Sequence, residues 1–145
     1  IYMQSVSGNS EGAELPRLFV FGLGYVGLQL GMEAQRLGWH VSGSVRSKEK
    51  ADIIRMQTDI DAHQFDLDDE YAGLSPSGLA ALSKATHLLA TVPPIADLNR
   101  DPLLALHKPQ LAEAFSIGRL EWVGYLSTTS VYGDHDGAWV DEASE

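Results

Sequence analysis

Leu18-Phe19-Val20-Phe21 is a short unbroken apolar run, the pattern of a strand buried on both faces of a parallel sheet. Glycines follow at once. Val26, Leu30, Ala34 and Leu37 then recur at helical spacing, with Gln29, Glu33 and Gln35 between them and Gly38 as a stop. Trp39-His40-Val41-Ser42-Gly43 reads as a second, weaker strand, Ser47 to Met56 as a short helix, and Gln64-Phe65 as the end of a third strand. Residues 68–78 are acidic and then turn-rich through Ser75-Pro76-Ser77-Gly78, and a helix is expected from Leu79 to Ala85. Leu88-Leu89-Ala90-Thr91-Val92 predicts a fourth strand, stopped by Pro93-Pro94. Pro102 to Ser116 carries Leu103, Leu106 and Leu111 at helical spacing, with a break or restart expected at Pro109. Trp122 to Leu126 is a fifth strand. The polar, aperiodic residues 1–16 read as a flexible lead-in, and 17–145 as one domain. Strands alternating with helices in this way predict an open, mostly parallel α/β sheet with right-handed crossovers.

Composition narrows the class. The chain has 145 residues, the size of one domain of about 100–200 residues. With 44% hydrophobic and 21% charged residues it reads as a soluble globular chain, which excludes disorder, collagen and coiled coil. No stretch approaches the ~20 apolar residues of a membrane span, and no basic segment leads into an apolar one. Ten Lys and Arg against 20 Asp and Glu give a net charge of -10, which repels nucleic acid backbones. The absence of cysteine excludes disulfides, zinc-thiolate sites and thiol nucleophiles. His40, His63, His87, His107 and His135 are scattered without ligand spacing, so no metal site is predicted. The chain opens on Ile1 rather than Met, as a trimmed precursor or part of a longer product would, leaving import into a chloroplast or mitochondrion open beside a cytoplasmic location.

The candidate chemistry starts at Gly22-Leu23-Gly24-Tyr25-Val26-Gly27, a G-x-G-x-x-G placed after a buried strand and before a helix. In that context the first glycine serves the tight turn. The second lets backbone approach a pyrophosphate, and the third allows close packing of helix on strand. The anion sits on the helix N-terminus, where unpaired amides and the dipole favour it. A glycine-rich turn without a ligand is the plainer alternative. At the end of the second strand, Gly43-Ser44-Val45-Arg46-Ser47 has no acid to receive the ribose hydroxyl of NAD. Arg46 and Ser47, with Lys48 nearby, suit a 2′-phosphate, which favours NADP over NAD; a solvated basic loop is the alternative.

Further segments resemble a known family. Asp66-Leu67, after the third strand, resembles the Asp-hydrophobic pair that contacts adenine in short-chain dehydrogenases/reductases, where a carboxylate accepts from the adenine amino group. The alternative is a solvated acidic run shared with Asp68, Asp69 and Glu70. Leu126-Ser127-Thr128-Thr129-Ser130-Val131-Tyr132-Gly133-Asp134, followed by Val140-Asp141-Glu142, closely resembles the end of strand five in the extended short-chain dehydrogenases, the NAD-dependent epimerase/dehydratase family. By the family's count of four residues before the Tyr of Val-Tyr-Gly, the catalytic hydroxyl falls on Thr128, which would hydrogen-bond the reacting oxygen of the substrate. A structural strand-end hydroxyl is the other reading of Thr128. Thr91-Val92-Pro93 resembles the stretch after strand four that lines the cofactor, passing beneath the nicotinamide ribose.

The resemblance covers residues 17–145 and matches the N-terminal half of a family commonly about twice this length. It implies a Rossmann-type doubly wound, mostly parallel sheet with helices on both faces, ending after strand five, with the C-terminal substrate lobe absent. It also implies NADP(H) binding, with NAD as the alternative, in a protein acting on a nucleotide-sugar or another small carbonyl substrate. Two departures bear on this: Gly22 and Gly24 are two apart where the family spaces its glycines three apart, and no Tyr in the chain has Lys four residues later. A non-catalytic NAD(P)-binding or structural subunit of a larger assembly is therefore the alternative of a different class, to be decided by the residues encoded after Glu145. Gly22 to Leu28 also resembles the opening of the UDP-sugar 6-dehydrogenases, but the catalytic Cys and the acid after strand two of those enzymes are missing. A sheet ending at strand five exposes an edge and a face, so self-association, or a protein partner covering that edge, is expected.

Overall fold

The computed structural model describes residues 14–67, 73–93, 101–127 and 132–144. In chain order the elements are β1 (Arg17–Phe21), α1 (Tyr25–Arg36), β2 (His40–Val45), α2 (Lys48–Gln57), β3 (Asp61–Asp66), β4 (Gly73–Leu74), α3 (Pro76–Leu82), β5 (His87–Ala90), α4 (Pro102–Ser116) and β6 (Trp122–Tyr125). They build one sheet in the order β4-β3-β2-β1-β5-β6. Every pairing is parallel except β3 with β4.

Side chains alternate across a strand, and β1 shows what that alternation does here. Leu18 and Val20 enter a core with Leu23, Ala34, Val41, Ala51 and Ile54, shared with α1 and α2. Phe19 and Phe21 enter the opposite core with Phe65, Leu82, Leu103 and Leu111, shared with α3 and α4. Helices on both faces of a parallel sheet make this a doubly wound Rossmann-type fold, as the sequence pattern predicts.

Some details differ from the pattern read in the sequence: β2 runs on to Val45, and β5 ends at Ala90, before Thr91 and Val92. The helix expected at Leu79–Ala85 is α3, three residues earlier. Ser75 accepts from the Gly78 amide as its N-cap and Pro76 occupies the first turn, so the apparent turn signal is the helix start. The acidic and turn-rich stretch also contains β4, an antiparallel strand too short to leave a pattern. α4 runs through Pro109 without a break. Its inward side chains Leu103, His107, Leu111 and Ala114 anchor it on the core, and Pro109 faces solvent, where the carbonyl deprived of a donor can be hydrated.

Candidate functional site

β1 lies between β2 and β5, so the strand order reverses on its β5 side. In doubly wound sheets that reversal opens a crevice at the carboxyl ends of the strands. The glycine turn sits there, and its three glycines answer to three different constraints. Gly22 has φ 93°, in the left-handed region that favours glycine, and a Cβ on it would lie 2.7 Å from Thr91 Oγ1. Gly24 is the N-cap of α1, no side chain caps that end, and a Cβ on Gly24 would meet nothing within 4 Å. The first amides of α1 thus lack intrahelical partners beside open space. Tyr25 and Val26, which follow, are 86% and 51% exposed. Gly27 is buried, and a Cβ on it would stand 2.2 Å from the Gly22 carbonyl oxygen, so α1 can approach β1 this closely only with glycine there.

Around the turn, Thr91 donates its hydroxyl to the Gly22 carbonyl at 2.6 Å, with the Phe21 carbonyl at 3.1 Å. Val92 packs on the core beside α3 and α4, and Pro93 is exposed. Arg46 is exposed directly after β2. Ser47 is the N-cap of α2, its oxygen accepting from the Lys50 amide at 3.2 Å, which leaves its own hydrogen available as a donor. Asp66 closes β3 half-buried, with Gln64 Nε2 donating to it at 3.4 Å, and Leu67 packs on the core. Because β1, β2 and β3 are successive neighbours in the sheet, the glycine turn, Arg46–Ser47 and Asp66–Leu67 follow one another along its carboxyl edge, one strand spacing of about 4.8 Å at a time. Of these residues, Thr91 hydrogen-bonds the glycine turn, and Val92 stands beside Gly22. Thr128 lies outside the described residues.

Ser44 was not among the residues singled out in the sequence. It is 1% exposed inside β2, its Oγ accepts from the Gly22 amide at 3.2 Å, and its carbonyl accepts from the Leu23 amide at 2.7 Å. The signal available was a hydroxyl between Gly43 and Val45 in an otherwise buried strand end.

Burial pushes His63, His87 and His107 below their ordinary value. Tyr125, at the end of β6, is held above its ordinary value by burial, with the Asp101 carboxylate adding to it, so its phenol stays protonated at neutral pH. Among the described residues no group of three or more His, Asp or Glu is placed to hold a metal ion, and no helix is long and apolar enough to cross a membrane.

No protein-family model matches the chain. Protein YeeZ of Escherichia coli strain K12 is 28% identical over 123 residues, 85% of this chain and 44% of that protein. A conserved protein of unknown function from Silicibacter pomeroyi DSS matches with TM-score 0.68 and 35% identity over 89% of this chain and 40% of its own. A reductase from structure-guided engineering to attenuate substrate inhibition in asymmetric catalysis matches with TM-score 0.59 and 22% identity over 85% and 42%, a likeness of fold alone. The chain therefore spans less than half the length of each of these three proteins. What these likenesses define is the fold, a Rossmann-type α/β domain.

Proposed function

We propose that this chain is the NADP(H)-binding domain of an extended short-chain dehydrogenase or epimerase-like protein acting on a nucleotide-sugar or another small carbonyl substrate. The observation that carries the reading is the uncapped N-terminus of α1, with open space at Gly24, placed where the strand order reverses. Unpaired amides at a helix N-terminus complement a pyrophosphate, and Gly22, Gly24, Tyr25, Val26 and Gly27 would hold it. Arg46 and Ser47 would receive the 2′-phosphate, with Lys48 and Lys50 of α2 adding positive charge. Asp66 and Leu67 would meet adenine, and Thr91, Val92 and Pro93 would border the nicotinamide ribose. Thr128 would supply the hydroxyl that binds the reacting oxygen. Hydride transfer is the chemistry a nicotinamide supplies when bound; the part of the chain's own residues is to bind and orient it.

Titration of the purified chain with NADPH and NADH by calorimetry tests this reading. NADPH should bind more tightly, and Arg46→Glu should remove the preference by placing a carboxylate against the 2′-phosphate. Binding of neither nucleotide would leave the fold as architecture and support the non-catalytic alternative. A preference for NADH would move the 2′-phosphate role away from Arg46.

A further inference from the structure

Pyrophosphate binding at a glycine turn requires backbone amides held in one arrangement, yet a turn of this composition has little intrinsic rigidity, because glycine pays the largest backbone entropy on ordering. In this chain the rigidity comes from outside the motif. On the β2 side, Ser44 accepts two successive amides: Gly22 through its hydroxyl at 3.2 Å and Leu23 through its carbonyl at 2.7 Å. On the β5 side, the Thr91 amide donates to the Phe21 carbonyl at 2.8 Å and the Thr91 hydroxyl to the Gly22 carbonyl at 2.6 Å. Both polar groups of Gly22 are therefore engaged by hydroxyls, one from β2 and one from the residue that follows β5. Neither bond belongs to the sheet ladder or to α1. Ser44 is among the few buried polar side chains of the described residues, beside His63 and His107, and a hydroxyl is kept at such a site only when it is hydrogen-bonded.

We propose that Ser44 and Thr91 are positioning residues that clamp the glycine turn from both sides, setting the orientation of the Gly24 to Val26 amides toward the pyrophosphate. This rests on the dinucleotide reading given above and adds to it a determinant outside the G-x-G-x-x-G. The clamp acts through Gly22: with its amide and carbonyl fixed, the peptide planes leading into α1 have one orientation before any ligand arrives, so less conformational entropy is lost on binding. Ser44→Ala removes one oxygen without adding bulk and leaves the half-buried Gly22 amide without its Ser44 partner, which the turn relieves by rotating away from β2.

The test compares two probes on the same variants. NADPH contains the pyrophosphate, whereas adenosine 2′-phosphate reaches only the far end of the site, at Arg46, Ser47, Asp66 and Leu67. Ser44→Ala should weaken NADPH about tenfold, the size of one net hydrogen bond, and leave adenosine 2′-phosphate unchanged. Ser44→Cys, which keeps a weak acceptor in the same place, should fall between. A merely structural role would lower both affinities together or neither. Amide hydrogen exchange on the unaltered chain without nucleotide gives a readout independent of any variant: the Gly22 amide should be protected well beyond its exposed neighbours at Gly24 and Tyr25. Rapid exchange at Gly22, or NADPH affinity unchanged in Ser44→Ala, would overturn the clamp while leaving the dinucleotide reading in place. Failure of the unaltered chain to bind NADPH or NADH would overturn that reading together with the proposal resting on it.

Discussion

Leu18-Phe19-Val20-Phe21 and Trp122-Val123-Gly124-Tyr125 look alike as sequence: each is a run of four residues without a charged side chain, polar only at the Trp122 indole and the Tyr125 phenol. Folded, they are opposites. No residue of the first run exceeds 2% exposure, whereas Trp122, Val123 and Tyr125 are 41%, 42% and 49% exposed. β1 has a parallel neighbour on each side and helices over both faces. Among the described residues β6 pairs only with β5, and Val123 and Tyr125 border an apolar cleft of about 370 Å³ shared with Leu104, Leu111 and Phe115 of α4. Apolarity makes both segments strands, but only the number of neighbours removes their side chains from water, and transfer free energy accrues only to area that is removed. The glycine turn inherits this asymmetry, since it is mounted on the strand held most firmly.

The largest test of the contrast is a pair of truncations. Phe19→Ala should cost about 3–5 kcal/mol, whereas Val123→Ala should stay within about 0.5 kcal/mol. Urea unfolding with unchanged m-value measures both, and equal losses would erase the distinction between the two strands. Next comes the turn mounted on β1. Gly27→Ala places a Cβ against the Gly22 carbonyl and should cost about 1–3 kcal/mol through overpacking. Gly24→Leu enters open space and should leave the melting temperature nearly unchanged while abolishing NADPH binding. A retained affinity would remove Gly24 from the site.

A smaller effect follows from the histidines packed around this interior. His63, His87 and His107 are held below the ordinary 6.5 by burial. The unfolded chain therefore binds more protons once the pH falls through that value. Their contribution to stability is complete above it and is lost as the pH drops toward their native values. The melting temperature should decline on acidification through this window, and His107→Gln should flatten part of the slope, because His107 Nε2 accepts the Leu74 amide at 3.1 Å only when unprotonated. A flat profile would mean that these rings carry their charge inside the fold. The smallest effect on stability belongs to the exposed edge. Val123→Lys should shift unfolding by less than about 0.5 kcal/mol yet reduce self-association, as charge on an edge strand does. Sedimentation velocity at rising concentration reads this, and unchanged self-association would show that the β6 edge does not drive it.

Much of the architecture was legible because local signals and the final fold agree. The apolar β1 run, the glycine turn, the spacing of α1 and the order of strand and helix are set by side-chain period and by residues that only certain backbones accept. Gly22 belongs here: its positive φ is what a first glycine serving a tight turn implies. Other features were decided by contacts between segments distant in sequence. The run of β2 on to Val45 depends on pairing with β1 and β3, which places Ser44 within reach of Gly22 across 22 positions. β4 exists because Gly73 and Leu74 meet the end of β3, with His107 from α4 accepting the Leu74 amide. Pro109 stays inside a helix because the apolar face of α4 is anchored on both sides of it. The sequence by itself determined which segments could be strand, turn or helix, since backbone sterics and side-chain period act within a few residues. Which apolar run is buried and which hydroxyl holds the turn were left to tertiary structure, because burial and hydrogen-bond partners come from chain that is remote in sequence.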